Sequence, residues 1–475
     1  MLFSSITFIY YFLPVTAGLY FLSLKGAGAL KSFFQRLPNG ILLLCSLVFY
    51  GWGEPKYVFL MMVSTLSCYG FGLLVEKYRE GRKGRAFALV SVMVSLSFLV
   101  YFKYADFFLE NFNALAGWQV PLLKVALPVG ISFYTFQIIS YTVDVYRGED
   151  AQKNFIDLAL YVAMFPQLVA GPIVRYSGLS RELAGRRHFW ALGAEGIRRF
   201  ILGLAKKVLL ANQLGELCGV FRASEEKSVL FYWLYGLAFA LQCYFDFSGY
   251  SDMAIGLGRI FGFRFPENFN YPYISASITE FWRRWHISLG SWFRDYVYIP
   301  LGGNRRGKGR QLFNICIVWA LTGLWHGAAW NFVLWGLIFA VLLMVEKLWL
   351  LKYLGKSRVL SRIYVLFFVM ASFVVFNGQG LSQVCSDIGG LFGLGGVSLV
   401  SIQALYCLRS YGMVLLAAGV GATPAMKLAV GAVCQKKAGE RLVCYLEPMM
   451  LMGLLLAVTA YLVDGSFNPF LYFRF

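Results

Sequence analysis

The chain has three histidines in 475 residues, His188, His286 and His326, and two of them sit in settings suited to proton transfer. His326 lies in LTGLWHGAAWN, inside an apolar stretch from Leu312 to Val345 that is too long for one untilted membrane span. Gly323 and Gly327 bracket it, and glycine there permits close backbone approach or a break in a helix. A neutral imidazole at such depth can take a proton from a hydroxyl, and an ionisable residue buried in an apolar run marks a functional site. The alternative is a neutral histidine hydrogen-bonded between helices.

His286 lies in EFWRRWHISLGSWFRDYVYIP, where Ser277 and Glu280 form a capping box for a helix beginning near Ile278. Trp282, Trp285, Leu289, Trp292, Phe293 and Tyr296 then follow helical spacing, flanked by Arg283, Arg284 and Arg294. This stripe predicts a helix lying at the membrane interface. His286 borders it, with two readings open: it points into a cavity, or it sits among headgroups. Asp246 and Asp252 in CYFDFSGYSDMAIG and Arg175 in AGPIVRY are charges in or beside apolar runs and need partners or water. Their expected role is structural, with Asp246 able to orient a histidine or organise a helix break. No HExxH and no cysteine cluster accompany the histidines, so no metal site is expected. The nine cysteines are scattered without a CxxC pair, which argues against a disulfide framework.

The elements that must hold these residues are membrane helices. Fifty-nine per cent of the residues are hydrophobic and 14% charged, and the mean hydropathy is +0.63. Runs such as Ala86 to Phe102, Val229 to Phe245, Tyr364 to Phe376 and Tyr445 to Val463 approach or reach the ~20 apolar residues needed to cross a bilayer. Together they predict an all-α polytopic membrane protein with roughly ten or more transmembrane helices plus re-entrant and interfacial helices. Polar interruptions are short, so residues 1–475 read as a single membrane domain. The N-terminal segment lacks a basic residue before Lys25 and a small-residue cleavage site, and reads as a retained first helix.

From Phe165 to Trp335 the apolar runs are repeatedly broken by Gly, Pro, Asp, Asn, Arg and His. Irregular polar backbone at membrane depth survives only where protein buries it or a wet cavity receives it, which places the catalytic core at about 120–345. Ordinary spans return near Tyr364 to Phe376, Val414 to Val433 and Tyr445 to Val463. The formal charge of +19 comes from basic clusters between apolar runs: Lys77 to Arg85, Arg305 to Arg310 and Lys352 to Arg362. That is the positive-inside pattern of loops facing anionic lipid on the cytoplasmic side, not a nucleic-acid-binding face. No internal repeat is visible, which weighs against a secondary transporter.

These segments resemble the membrane-bound O-acyltransferase family, closest to its alginate O-acetylation type. The resemblance runs from MLFSSITFIYYFLP through LPVGISFYTFQIISYTVDVYRG and FPQLVAGPIVRY to FGFRFPENFNYPYIS, ITEFWRRWHISLGSWFRDYVYIPLGGNRRG, LTGLWHGAAWNFVLWG and the terminal NPFLYFRF. It implies a ring of tilted helices around a central tunnel in the cytoplasmic membrane, with His326 catalytic and His286 implicated beside it. It implies further that an acyl thioester such as acetyl-CoA is the donor, that no cofactor is permanently bound, and that the acceptor is a polysaccharide. An extracytoplasmic acetyltransferase partner protein is expected to complete the transfer. In that scheme His326 is the general base, while His286 or a nearby amide or indole donor meets the oxyanion. D-alanyl transfer to teichoic acid, and a non-catalytic acyl or sugar channel, are the alternatives.

Overall fold

The computed structural model describes residues 1–27, 36–465 and 470–471. These are 77% helical and form no strands. Among them, eight helices are long and apolar enough to cross a membrane, and the shorter helices Leu37–Gly51 and Ala425–Cys434 are also apolar. The expectation of an all-α polytopic membrane protein is met. Of the terminal NPFLYFRF, only Phe470 and Leu471 fall within the described residues.

By their internal contacts the residues group into two compact units. The first comprises Met1–Phe200 and Met253–Pro266 and carries the apolar spans Thr7–Leu24, Pro55–Lys77 and Arg82–Ala116. Phenylalanines fill its core, with Phe49 and Phe165 ring centroids 5.5 Å apart and Phe3 and Phe8 packed on both. Lipid is as apolar as such a core, so helix association needs polar and close-packing contacts as well. Asn39 supplies one set, donating to Asp157 at 2.7 Å and to the Leu183 carbonyl at 2.9 Å.

The second unit comprises Ile201–Asp252 and Glu267–Phe475, and holds both His286 and His326. Six of its helices position them: α1 (Val229–Ile260, of which the part through Asp252 lies in this unit), α2 (Ile278–Arg284), α3 (Ile287–Phe293), α4 (Lys308–His326), α5 (Trp330–Val345) and α6 (Arg358–Phe376). α1 runs unbroken past Asp246, so of the two roles open to that residue it does not organise a helix break. Lys207 and Lys206 neutralise Asp246 and Asp252, and Gly249 lets the preceding helical segment approach so closely that a Cβ there would meet the Gly203 carbonyl at 2.7 Å.

The apolar stretch Leu312 to Val345 is a helical hairpin, α4 and α5, that turns at Gly327 to Ala329. Its two arms touch through glycine. A Cβ on Gly323 would meet the Phe332 carbonyl at 2.3 Å, and one on Gly336 would meet the Trp319 carbonyl at 2.3 Å.

Two readings are corrected. The stripe from Trp282 to Tyr296 is not one interfacial helix, because it breaks between α2 and α3 at His286, whose backbone is left-handed with φ 44° and ψ 54°. Trp285, Leu289, Trp292 and Phe293 are buried in protein. The span expected over Val414 to Val433 is also two helices, Ile402–Gly421 and Ala425–Cys434. Pro424 disfavours helical geometry at the residue before it and offers no backbone N–H to continue the ladder.

Candidate active site

The break between α2 and α3 is built from both sides. Ser277 caps α2 as expected, its Oγ accepting from the Glu280 N–H at 3.0 Å, while the Glu280 carboxylate reaches back to the Ala276 N–H at 2.9 Å. Glu346, fully buried in the segment after α5, adds its carboxylate to the same turn and accepts from the Ile278 and Thr279 amides at 2.5 and 2.9 Å. These four bonds hold the chain on the N-terminal side of α2 against the strain that follows. That strain is His286, a non-glycine residue in a conformation costing of order 1–3 kcal/mol and kept only where its surroundings over-determine it.

The segment Glu267 to Tyr271, part of PENFNYPY, supplies the over-determination. The Asn268 carbonyl accepts from the Ile287 N–H at 3.0 Å, and the Asn270 N–H donates to the Arg284 carbonyl at 2.9 Å, clamping the break from outside. The Asn268 side-chain oxygen then receives the Ser288 N–H at 3.2 Å, the Ser288 hydroxyl at 2.9 Å and His286 Nδ1 at 3.1 Å. His286 is 2% exposed, packed edge-to-face on Phe247 with ring centroids 4.6 Å apart. It sits in protein, not among headgroups. Burial pushes its pKa below the ordinary imidazole value, which favours the neutral ring.

His326 is held differently. It is the last residue of α4, and three aromatic rings surround it at centroid distances of 5.0 Å (Trp325), 5.0 Å (Trp335) and 5.3 Å (Phe376), the rings meeting at steep angles. Trp325 also lies 5.9 Å from the His286 ring, so the two histidines flank one indole. His326 walls a cavity of about 50 Å³ together with Cys243, Asp246, Phe247, Trp285, Trp335, Phe373, Phe376, Phe470 and Leu471. His286 is absent from that wall. The indole N–H of Trp335, 98% buried with its residue, has no hydrogen-bond partner among the described residues.

The remaining candidates separate. Asp246 is ion-paired with buried Lys207 and accepts from the Leu471 N–H at 2.7 Å, anchoring the C-terminal residues in the cavity wall. Asp252 pairs with Lys206 at 2.7 Å. His188 and Arg175 belong to the other unit. There, His188 Nε2 lies 3.2 Å from the Tyr20 hydroxyl, and burial with the Arg186 charge lowers its pKa. Arg175 takes the N-cap position of helix Tyr176–Ala184.

Reading the sequence missed Asn268, Lys207, Trp335 and Phe376. Lys207 had a visible signal, a second lysine in the apolar run LAKKVLL, and a charge there requires a partner. Nothing in the spacing pointed to Asn268, which meets His286 only because the chain folds back over 18 residues.

The family model of the membrane-bound O-acyltransferases matches residues 44–386. The chain is 42% identical over 402 residues to the probable alginate O-acetylase AlgI of Pseudomonas putida, covering 83% of this chain and 81% of that protein. Against the probable alginate O-acetylase AlgI of Azotobacter vinelandii it is 40% identical over 410 residues, 85% of this chain and 80% of the other. The peptidoglycan O-acetyltransferase of Helicobacter pylori is 33% identical over 436 residues, 85% of this chain and 82% of its own length.

Proposed function

We propose that this chain, which belongs to the membrane-bound O-acyltransferase family, passes an acetyl group from a cytoplasmic thioester through the membrane for O-acetylation of an exopolysaccharide of the alginate class. That it is a multi-pass membrane O-acyltransferase follows from the family and its relatives. The observation that carries the site assignment is the cavity at His326, where an imidazole, an indole N–H with no partner among the described residues and a wall of aromatic rings converge in the motif the resemblance singles out. Acetyl-CoA is the proposed donor, delivered from the cytoplasmic side of the inner membrane. The acceptor hydroxyl belongs to the polysaccharide or to a serine of an extracytoplasmic acetyltransferase partner.

In this reading His326 removes the proton from the acceptor hydroxyl as its oxygen attacks the thioester carbonyl. A C–O bond forms, and the carbonyl oxygen gathers charge that the Trp335 indole N–H meets. The C–S bond then breaks, and the proton held by His326 passes to the departing thiolate. The aromatic cage excludes water, so that the thioester is transferred to the hydroxyl instead of being hydrolysed.

The test is release of free thiol from acetyl-CoA by the purified full chain in detergent, with and without alginate oligosaccharide, and with ester formation measured in parallel. Acceptor-dependent thiol release matched by ester is expected. A protein that moves acetyl-CoA or sugar across vesicles without consuming thioester is a carrier, and the reading fails.

A further inference from the structure

We infer that Asn268 is a positioning residue that locks His286 in the tautomer with its proton on Nδ1, leaving the Nε2 lone pair as a second proton acceptor beside Trp325. This rests on the reading of the two histidines as parts of one transfer site. Hydrogen-bond direction carries it. The Ser288 backbone N–H points at the Asn268 side chain from 3.2 Å, and a backbone N–H can only donate, so the atom facing it is the amide oxygen. The Ser288 hydroxyl donates to the same oxygen at 2.9 Å. An amide oxygen can only accept, so His286 Nδ1, 3.1 Å away, must carry a hydrogen. In the neutral ring Nε2 is then unprotonated. It is buried with no hydrogen-bond partner among the described residues, as is the Asn268 amide nitrogen.

Two consequences follow. Neutral His286 cannot donate from Nε2 to an oxyanion, so its role beside His326 is to accept a proton or a hydrogen bond, and the indole N–H of Trp335 is left as the oxyanion donor. The strained backbone of His286 also gains a purpose, because the left-handed turn sets the ring against Asn268 while α3 starts at the next residue. Other charges facing this region are committed or lie on neighbouring elements: Asp246 and Asp252 with Lys207 and Lys206, Cys243 on α1, His326 on α4, and Glu280 with Arg284 on α2 at 2.9 Å. Besides Asn268, the Ser288 hydroxyl lies 3.5 Å from Nδ1, but it donates to the Asn268 oxygen at 2.9 Å, which leaves Asn268 as the group that sets the tautomer.

The experiment is ¹⁵N NMR of the full chain in detergent, labelled at histidine. Three imidazoles give three pairs of signals, assigned by the single variants His188→Gln, His286→Gln and His326→Gln. In the wild type the His286 pair should show a protonated Nδ1 and an unprotonated Nε2 at neutral pH. Asn268→Leu should lose that preference. Asn268→Asp keeps the acceptor and the clamp on α3, so it should keep the tautomer and, by placing a carboxylate against Nδ1–H, hold the ring protonated to higher pH. Ser288→Ala should leave the tautomer unchanged and serves as the control for packing damage. Acetyl transfer from acetyl-CoA should fall about ten- to a hundredfold in Asn268→Leu, the worth of one or two hydrogen bonds, and its acid limb should move to higher pH in Asn268→Asp. An Nε2-protonated His286 in the wild type, or an unchanged tautomer in Asn268→Leu, overturns the assignment whatever the activity does. The predicted tautomers with wild-type transfer in Asn268→Leu would instead remove His286 from the chemistry, leaving its positioning by Asn268 in place.

Discussion

His286 and His326 stand on either side of one tryptophan and are held by opposite means. His286 is fixed by polar contacts, with its Nδ1 against the Asn268 side-chain oxygen that Ser288 also bonds, and a backbone forced into a left-handed turn. His326 is fixed by rings and by glycine, at the end of a helix whose hairpin partner touches it carbonyl to glycine. Hydrogen bonds specify which nitrogen bears the proton and leave little room for movement. An aromatic cage specifies where a ring sits by shape and packing. The cavity wall follows the same division, since it includes His326 and excludes His286.

The largest effect should come from the caged histidine. His326→Ala should lower acetyl transfer by ~100- to 10,000-fold, the usual loss for a general base, while leaving the protein inserted and folded. Rates by thiol release at matched membrane protein level decide it, and wild-type activity would remove His326 from the mechanism.

Next is Trp335→Phe, which keeps a ring in the cage and removes only the N–H. If that N–H meets the oxyanion, kcat should drop by about 100- to 1,000-fold with little change in thermal stability, because no hydrogen bond within the described residues is lost. A melting-temperature loss with unchanged kcat would make Trp335 a packing residue only.

A third test sharpens the structural half of the comparison. Gly336→Ala places a methyl against the Trp319 carbonyl where 2.3 Å is available, so the α4–α5 hairpin must part. Overpacking of this kind costs about 1–3 kcal/mol. Thermal denaturation in detergent should show that loss, and transfer should fall with it as the His326 cage opens. The same substitution at Gly412, with nothing within 4 Å of its added Cβ, should be silent.

The smallest effect concerns no rate at all. Cysteines introduced into the basic loops Lys77 to Arg85, Arg305 to Arg310 and Lys352 to Arg362 should resist labelling from outside intact cells, because each Lys or Arg near an anionic leaflet gains ~1 kcal/mol. Labelling at any of them contradicts a cytoplasmic placement.

What could be read in advance follows the same polar and apolar division. The hairpin around His326 was legible, since the length of the Leu312 to Val345 run and its bracketing glycines are local properties of the chain. The cap at Ser277 was legible for the same reason. The break at His286 was not. Helical spacing continues through it without interruption, and the turn is imposed by Asn268, a residue on a different segment. The C-terminal contribution was equally hidden: Phe373, Phe376, Phe470 and Leu471 wall the cavity, yet each reads in sequence as another apolar residue among many. Apolar pattern reports where a span lies, but not which of its rings faces a histidine.

The central claim is that the polar clamp and the aromatic cage hold two working imidazoles of one transfer site. The direct measurement is acetyl transfer from acetyl-CoA against pH for the wild type and His286→Gln at matched expression. Burial lowers the His286 pKa, so its protonation, and with it the loss of activity, should come only below the ordinary imidazole range in the wild type. His286→Gln keeps a side-chain hydrogen-bond donor but cannot titrate. Its transfer should be reduced and that acid limb should be gone, whereas superimposable profiles would return His286 to the core as a packing residue and leave His326 to act alone.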